Sequence, residues 1–443
     1  MKEEEVIDGI NYLLDEENLT AEVAGGDGCK GDIVIPETVK FDGVSYRVTS
    51  IMANAFMCCE SLTSVVIPDG VTSIGENAFY GCSKLTSITI PDTLTSIELG
   101  AFGNCESLTF INGIAYINGI EYRLDDDNLT AEVINIEDEG RKGDVKILEA
   151  IEISGVSYRV TSIGDCAFKD CSSLTYVVIP QSVTSIGAGA FARCTSLTDI
   201  TIPNSVISIG EGAFLSCTSL NDITIPNSVT SIGKAAFLSC TSLIAIAISN
   251  SVISIGDQLF AGCKSLKDIT IPNSIKSIGE RAFFYCTSLT SISIPNNIMS
   301  IGESAFEKCS SLTSIIIPNS VTSIGAGAFA RCTSLTNITI PCSVESIGNS
   351  AFLNCSSLSS VTIPDSITSI EMGTFANCSL LTNIVIPYSI TSIKEAGFEG
   401  CLSLETITYN GTLEQWRKIQ LRYRWNNKVP TKIVHCIDGD VEI

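Results

Sequence analysis

Apolar and polar positions alternate along this chain in a short pattern that repeats many times. In the stretch CSKLTSITIPDTLTSIELGAFGNC, at 82–105, Leu85, Ile88 and Ile90 alternate with polar residues, which is typical of a strand with one buried face. Pro91 then ends the strand, because proline has no N–H to offer a ladder. A second apolar run and an AF dipeptide followed by Cys complete the stretch. We interpret it as one coil of a stacked array.

The pattern returns every 23 residues. Its proline recurs at positions 180, 203, 226, 272, 295, 318, 341, 364 and 387, and Ser249 occupies the one vacant place in that series. A fixed short period means that each repeat contacts only its neighbours, so it overrides the roughly three globular domains that the chain length would suggest. The pattern predicts a solenoid whose stacked strands form a parallel sheet, with a short helical or irregular arc closing each coil.

A phenylalanine stands at the same place in fourteen repeats. Coils stacked at about 4.8 Å place such rings one above another, at a separation where offset stacking is favourable. We therefore predict a buried Phe column rather than a set of rings that stack on a cofactor. Its members are Phe56, Phe79, Phe102, Phe168, Phe191, Phe214, Phe237, Phe260, Phe283, Phe306, Phe329, Phe352, Phe375 and Phe398.

Cysteine is frequent, with 19 residues, and fourteen of these follow the column Phe by three positions. At that place a thiol behaves as a small buried hydrophobe, and parallel side chains on successive coils do not aim at each other as a disulfide requires. The remaining five are Cys29, Cys58, Cys166, Cys342 and Cys436, and among these Cys342, in a corner where other repeats have Asn or Asp, is the one we expect to be exposed. Their spacing does not favour zinc, because no C-x-x-C occurs and the chain has one histidine.

A second, longer repetition divides the array. INYLLDEENLTAEV at 10–23 returns as IEYRLDDDNLTAEV at 120–133, and each copy is typical of a hairpin. The first hairpin segment should cap the solenoid, while the second either continues the stack or bends it. The predicted organisation is a hairpin segment with three repeats at 1–110, a second hairpin segment at 111–147, eleven repeats at 148–410 and a C-terminal cap at 411–443.

The C-terminal cap departs from the 23-residue period. Thr412 and Gln415 have the spacing of a capping box, and Leu413, Trp416 and Ile419 would share one face of the helix that follows. Basic residues next to aromatic ones in this segment could also indicate a nucleic-acid surface. We favour the cap, because the rest of the chain is acidic.

The net charge of −23 is concentrated at the N-terminal end, where residues 1–150 hold 28 acidic and 9 basic residues. An acidic surface is a poor match for a nucleic acid, whose phosphates need basic side chains. No run of about 18 apolar residues occurs, so no membrane span is predicted. The start, MKEEEVIDGI, lacks the apolar core of a secretory signal, which leaves an intracellular location or a removed signal as alternatives.

The recurring pattern IPxSVTSIGxxAFxxCxSLTxI resembles the BspA-like group of leucine-rich-repeat proteins over nearly the whole chain. The resemblance implies a curved solenoid with a parallel sheet on its concave side. It also implies a surface or secreted protein of a host-associated microbe, with a role in adhesion or protein binding. The chain departs from the group in showing no signal or wall-anchoring segment.

The outward strand positions are the candidate binding site. They vary among polar residues while the inward positions stay Leu, Ile, Phe and Cys, which suggests that packing fixes one side and binding selects the other. A protein or glycan that presents Lys, Arg or several hydroxyls would fit this surface. The proposed ligand-binding residues on the concave face are Asp199, Thr201, Asp222, Thr224, Asp268 and Thr270.

Catalysis is the weaker interpretation of the same residues. Asp199 and Asp222 would lie about one strand spacing apart, which resembles the carboxylate pair of a retaining glycosidase. A flat polar surface offers nothing to enclose a sugar, and a single histidine removes most nucleophilic triads. The acidic runs 15–17 and 125–127 suit solvated turns, with weak calcium binding as the alternative. We expect a binding scaffold without cofactor or metal; a glycan-active enzyme and a purely structural spacer are the alternatives.

Overall fold

The computed structural model describes residues 2–26, 29–91, 93–98, 100–105, 107–108, 110–111, 114–136, 143–153 and 156–443. The chain forms two compact units. The first contains Met1–Val133 and Ala150–Arg159, and the second contains Ile134–Glu149 and Val160–Ile443. The boundary between the two units therefore falls within and just after the predicted second hairpin segment. Residues 112–113 and 137–142 of that segment lie outside the described residues.

The first unit opens with antiparallel strands that lead into a parallel array. Lys2–Ile7 pairs with Ile10–Asp15, which in turn pairs with Thr20–Gly26, both antiparallel. Thr20–Gly26 then pairs parallel with Val44–Ile51, the first strand of the repeats. The last strand of the first hairpin segment thus stacks on the repeats as another coil would, and it covers their apolar end.

Strands of the second hairpin segment extend the sheet of the repeats in this unit. Phe110–Ile111 pairs parallel with Ser87–Thr89 and antiparallel with Ile114–Ile117, which pairs antiparallel with Ile120–Asp125. The other strands of this unit are Lys30–Val34, Thr38–Phe41, Ser61–Val66, Ser73–Ile74, Ser96–Ile97 and Ala150–Ile153, and two strands, Thr130–Ile136 and Val156–Ile163, are divided between the units.

Each repeat of the second unit has three sides. On the first side lies a short strand, here called a ladder strand; its middle Ile or Val is buried, and its outward residues form the ladder face. The ladder strands are Gly143–Lys146, Leu174–Val178, Asp199–Thr201, Asp222–Thr224, Ala245–Ala247, Asp268–Thr270, Ser291–Ser293, Ser314–Ile316, Asn337–Thr339, Ser360–Thr362, Asn383–Ile386 and Thr406–Tyr409.

The second side is a two-residue strand, usually of sequence SI, and these strands also pair in parallel across repeats. They are Ser185–Ile186, Ser208–Ile209, Ser231–Ile232, Ser277–Ile278, Ser300–Ile301, Ser323–Ile324, Ser346–Ile347, Ser369–Ile370, Ser392–Ile393 and Gln420–Leu421. The third side is a run of turns around the AF dipeptide, whose outer surface we call the arc face. The solenoid predicted from the 23-residue period is confirmed.

Hydrogen bonds between neighbouring repeats hold the arc. Around Phe283, the N–H groups of Arg281, Phe283 and Tyr285 each donate to a carbonyl of the next repeat at 2.8 Å. Arg281 and Tyr285 adopt left-handed backbone conformations, with φ of 51° and 62°. This alternation directs three donors at the neighbour, and their hydrogen bonds offset the cost of a left-handed residue that is not glycine.

The Phe column is confirmed. From Phe168 to Phe398 the ring centroids are 4.9–5.7 Å apart and the interplanar angles are 3–21°. The first unit has the same stack through Phe56, Phe79 and Phe102. The rings are buried as the sequence predicts, except that of Phe102, which is partly buried.

Most cysteines of the repeats are buried, and their thiols have a specific partner. In every repeat from Cys194 to Cys401, the thiol donates to the main-chain carbonyl of the Phe 26 residues earlier. The Sγ of Cys286, for example, lies 3.2 Å from the oxygen of Phe260. All fourteen are free thiols, and Cys59 and Cys105 of the first unit are only partly buried. Cys342 is exposed as expected, and Cys58 and Cys166 are exposed too.

The C-terminal cap replaces the last coil. Leu413–Trp416 is a short α-helix whose capping box joins Thr412 and Gln415, as predicted. The helix ends at Trp416, so the prediction that Ile419 lies on its face is wrong. Trp425 packs edge-on against Phe398 and so ends the Phe column. Ile433–Cys436 pairs with the last ladder strand and with Gly439–Glu442. In the part of the chain that the structure describes, no helix has the length and apolar character needed to cross a membrane.

Candidate functional site

The six residues predicted to bind a ligand all lie on the ladder face of the second unit. Asp199, Asp222 and Asp268 are the first residues of their ladder strands, and the three threonines are the third residues. In each strand the outer two residues are exposed and the middle Ile is buried, because successive side chains of a strand point to opposite faces. The repeat therefore places the carboxylates in one column and the hydroxyls in another.

The pairing of successive ladder strands is interrupted between Asp199–Thr201 and Asp222–Thr224. Asp222–Thr224 pairs in parallel with Ala245–Ala247, which pairs with Asp268–Thr270. Asp199–Thr201 ends a separate sheet, and no ladder pairing joins it to Asp222–Thr224 among the described strands. A second interruption of this kind separates Ser314–Ile316 from Asn337–Thr339.

A groove of about 600 Å³ opens at the first interruption. Four of the six predicted residues line it, namely Asp199, Thr201, Asp222 and Thr224. Asp268 and Thr270 do not, because Ala245–Ala247 lies between them and the groove. The structure thus brings the first four residues together and leaves the other two further along the same columns.

The groove has a polar end whose residues were not predicted from the sequence to be functional. Gln181, Asn204, Asn227 and Ser249 contribute to its lining, and they come from the corners that follow the ladder strands. Three of them follow the repeat proline directly, and Ser249 takes the proline's place. Each amide carries both a donor and acceptors. All four residues come soon after a ladder strand in the sequence, and this shared position is the pattern that could have identified them.

The groove is electronegative. No Lys or Arg belongs to its lining, and the carboxylates of Asp199 and Asp222 form no ion pair with a described side chain. A cationic or hydroxyl-bearing ligand suits this lining, because it can donate hydrogen bonds to carboxylates.

The ladder face is also less uniformly polar than the sequence suggests. Ile316 is 81% exposed at the second interruption, and Val178 and Val385 are exposed at equivalent places. These apolar residues occupy the same column as Thr201 and Thr224. They offer apolar contacts on a surface that is otherwise made mostly of hydroxyl, amide and carboxylate groups.

The two other candidate sites from the sequence, the acidic runs at 15–17 and 125–127 and the aromatic C-terminal cap, have structural roles. Asp15 accepts hydrogen bonds from the N–H groups of Glu17 and Asn18, and Asp125 accepts from that of Asn128, so both acidic runs close turns. Trp416 and Trp425 of the cap are buried and pack edge-on against each other. Within the described ranges, no cluster of three or more His, Cys, Asp or Glu residues is placed to hold a metal.

The comparisons with known proteins identify the family of the repeats. A family model described as the BspA type leucine rich repeat region (6 copies) matches residues 45–124, 147–263, 230–359 and 300–423. The crystal structure of a leucine-rich repeat protein from Bacteroides ovatus is 32% identical, with 87% of this chain and 95% of that chain covered and a TM-score of 0.52.

Two further solved structures match over most of the chain. A leucine rich cell surface protein from Faecalibacterium prausnitzii is 30% identical, with 95% of this chain and 98% of that chain covered and a TM-score of 0.39. The pneumococcal vaccine antigen PcpA is 17% identical, with both chains fully covered and a TM-score of 0.44. The comparison with curated proteins found no match. The matched repeats and the solenoid together show that this chain belongs to the family of BspA type leucine rich repeat proteins.

Proposed function

We propose that this chain is a non-catalytic binding scaffold that engages a protein or glycan through its ladder face. The groove at the ladder interruption carries the proposal, because it gathers carboxylates without a cation, hydroxyls and amides in one recess. Concave sites that combine apolar surface with a few convergent polar groups are the usual form of a binding site. Family membership supports an interaction role and a location at the cell surface or outside the cell.

The chemistry of the groove favours one class of partner. Since its lining holds carboxylates and no cation, it suits Lys or Arg side chains or a hydroxyl-rich neutral glycan. Anionic partners are disfavoured, because the carboxylates of Asp199 and Asp222 would repel them. The partner should be extended, because the polar columns continue along the ladder strands past Asp268 and Thr270.

Reversing the charge of the aspartate column is expected to remove binding. The purified chain would first be screened against an array of host matrix proteins, mucins and glycans. Changing Asp199, Asp222 and Asp268 together to Lys should weaken binding of the ligand so identified at least about tenfold, because close charged contacts contribute more than that factor when broken. All three side chains are exposed, so the fold should be unaffected.

A variant with the same change in charge is the control. Glu303, Glu345 and Glu395 are exposed and lie outside the ladder strands, so their joint replacement by Lys should leave binding within about twofold. Undiminished binding by the aspartate variant would refute the proposal, above all if changes in the C-terminal cap abolish binding instead. Equal losses in the two variants would show that net charge, rather than the groove, governs attachment.

A further inference from the structure

A second groove, of about 420 Å³, opens on the arc face of the second unit, and it shares no residue with the ladder-face groove. The 23-residue period builds it from two columns. Leu238, Ala261, Phe284 and Glu307 each follow a column Phe directly, and Gln258 and Arg281 each precede one by two positions. Leu238, Ala261 and Phe284 give the groove an apolar floor. Glu307, Gln258 and Arg281 supply its polar groups.

The repeat that contains Phe284 is unusual. It is the one repeat of the fourteen with aromatic residues at both positions after the column Phe, namely Phe284 and Tyr285. Both are at the surface: Phe284 is half-buried and Tyr285 is 40% exposed. Elsewhere the same two positions hold mostly small or polar residues, so packing of the coil does not require these rings.

Cations surround the two rings. The Nζ of Lys308 lies 4.9 Å from the centroid of Phe284 and 5.4 Å from that of Tyr285, and the Nζ of Lys264 lies 5.2 Å from Tyr285. Neither lysine forms an ion pair with a described residue, and Arg281 has only a 3.5 Å contact with Glu280, in which both side chains are 46% exposed. Two ammonium groups beside one ring repel each other, and an exposed cation–π contact offsets little of that repulsion.

We propose that this arc-face groove binds an acidic monosaccharide residue, a pyranose ring that carries a carboxylate. The apolar face of such a ring fits over Phe284 and the floor, and its carboxylate neutralises Lys308, Lys264 or Arg281. Gln258 and Glu307 provide a donor and acceptors for the ring hydroxyls. The volume of the groove is at the small end of the range for small-molecule sites, which favours one sugar residue over a peptide.

The site differs from the ladder face in the charge that it selects. The ladder-face groove has carboxylates and no cation, whereas the arc-face groove is lined by Arg281 and Glu307, and Lys264 and Lys308 lie against the rings of Tyr285 and Phe284 beside it. One chain could therefore hold two chemically distinct ligands at once. This second activity does not depend on the proposed function, because no residue is common to the two grooves.

Titration of the full chain with D-glucuronate tests the proposal, with D-glucose and D-glucuronamide as neutral comparisons. Saturable binding of glucuronate with a Kd of about 1 mM or lower is expected, weakening as salt is added. Both neutral sugars should bind at least about fivefold more weakly, because they lack the charge that the lysines attract.

Two variants separate the site from general charge effects. The pair Lys264→Gln and Lys308→Gln should reduce glucuronate affinity at least about fivefold, and Phe284→Ala should reduce it as well. The pair Lys267→Gln and Lys276→Gln removes the same charge from exposed positions outside the groove and should leave affinity unchanged. Thermal melting would verify that each variant is folded.

Three results would overturn the inference. These are a titration with glucuronate that shows no saturation, equal binding of glucose and glucuronate, and unchanged affinity in the Lys264 and Lys308 variant. Binding of a glutamate-rich peptide without binding of glucuronate would show that the cations recognise acidic peptides and that the sugar assignment is wrong.

Discussion

Raising the pH from about 8 to about 10 is expected to destabilise the second unit by at least as much as a typical large core substitution. Burial raises the pKa of the Cys263, Cys309, Cys355 and Cys401 thiols to about 12. In the unfolded chain the same thiols ionise near their ordinary pKa of about 8.5–9. Burial also raises the pKa of the four thiols that alternate with them in the column, those of Cys240, Cys286, Cys332 and Cys378.

The direction of the effect follows from this difference. A group whose pKa is raised on folding stabilises the fold fully below its unfolded pKa, and that stabilisation is lost as the pH rises from the unfolded toward the folded pKa. The loss is about 1.4 kcal/mol per thiol for each pH unit above about 9, so the four thiols at about 12 alone account for about 5 kcal/mol at pH 10.

Denaturant unfolding between about pH 7 and pH 10, with a reductant present, measures this effect. The control is a variant with Cys309→Ala and Cys355→Ala, which should show a slope of unfolding free energy against pH that is smaller by about two protons. A stability that stays constant between pH 8 and pH 10 would contradict the buried thiol column. An unchanged slope in the variant would assign the effect to other groups.

Replacing Phe283 by Ala is expected to lower the free energy of unfolding by about 3–5 kcal/mol. Phe283 is fully buried and stacks between Phe260 and Phe306, with centroid distances of 5.5 and 5.3 Å. Its removal leaves a cavity and breaks two stacked pairs in the middle of the column. Because each repeat contacts only its neighbours, the damage should be centred on these three coils.

The adjacent residue provides a matched control for that substitution. Phe284 is chemically identical but only half-buried, so Phe284→Ala should cost about 1 kcal/mol or less. Calorimetry or denaturant unfolding of the two variants makes the comparison. Equal losses of stability would show that the column does not carry the packing energy assigned to it.

The repeat architecture could be predicted from the sequence because one coil's pattern dictates its neighbours. Ile88 faces inward since it alternates with polar residues, and the 23-residue period then places every equivalent residue in one column. The same reasoning placed Asp199, Asp222 and Asp268 in one outward column, with Ala245 between the last two. Period and alternation together are enough for these features, and no tertiary information is needed.

The ladder-face groove could not be predicted, because it lies where two nearly identical repeats differ from their neighbours in how their ladder strands pair. Asp199–Thr201 and Asp222–Thr224 have the same sequence, DIT, yet no ladder joins them, whereas Asp222–Thr224 pairs with Ala245–Ala247. One physical difference is the carboxylate that opposes Asp222 on one side and the methyl group of Ala245 on the other. The second interruption, between Ser314–Ile316 and Asn337–Thr339, has no such pair of charges, so charge alone does not determine where the pairing stops.

The arc itself was predicted, but its backbone conformation was outside the reach of sequence patterns. Its left-handed positions are glycine in some repeats but Arg281, Tyr285 or Ala235 in others, so local preference does not mark them. Hydrogen bonds to the next repeat impose the conformation instead. The arc-face groove follows from these positions, and the aromatic pair Phe284 and Tyr285 was the one sequence signal that accompanied it.

Hydrogen exchange of the chain with and without its array-selected partner tests the ladder-face assignment most directly. Binding in the groove predicts slower exchange in peptides that cover 198–227, with weaker protection along the ladder strands toward 270 and none in the arc around 280–286. Protection confined to the hairpin at 10–23 or to the cap at 411–443 would contradict binding by the ladder face.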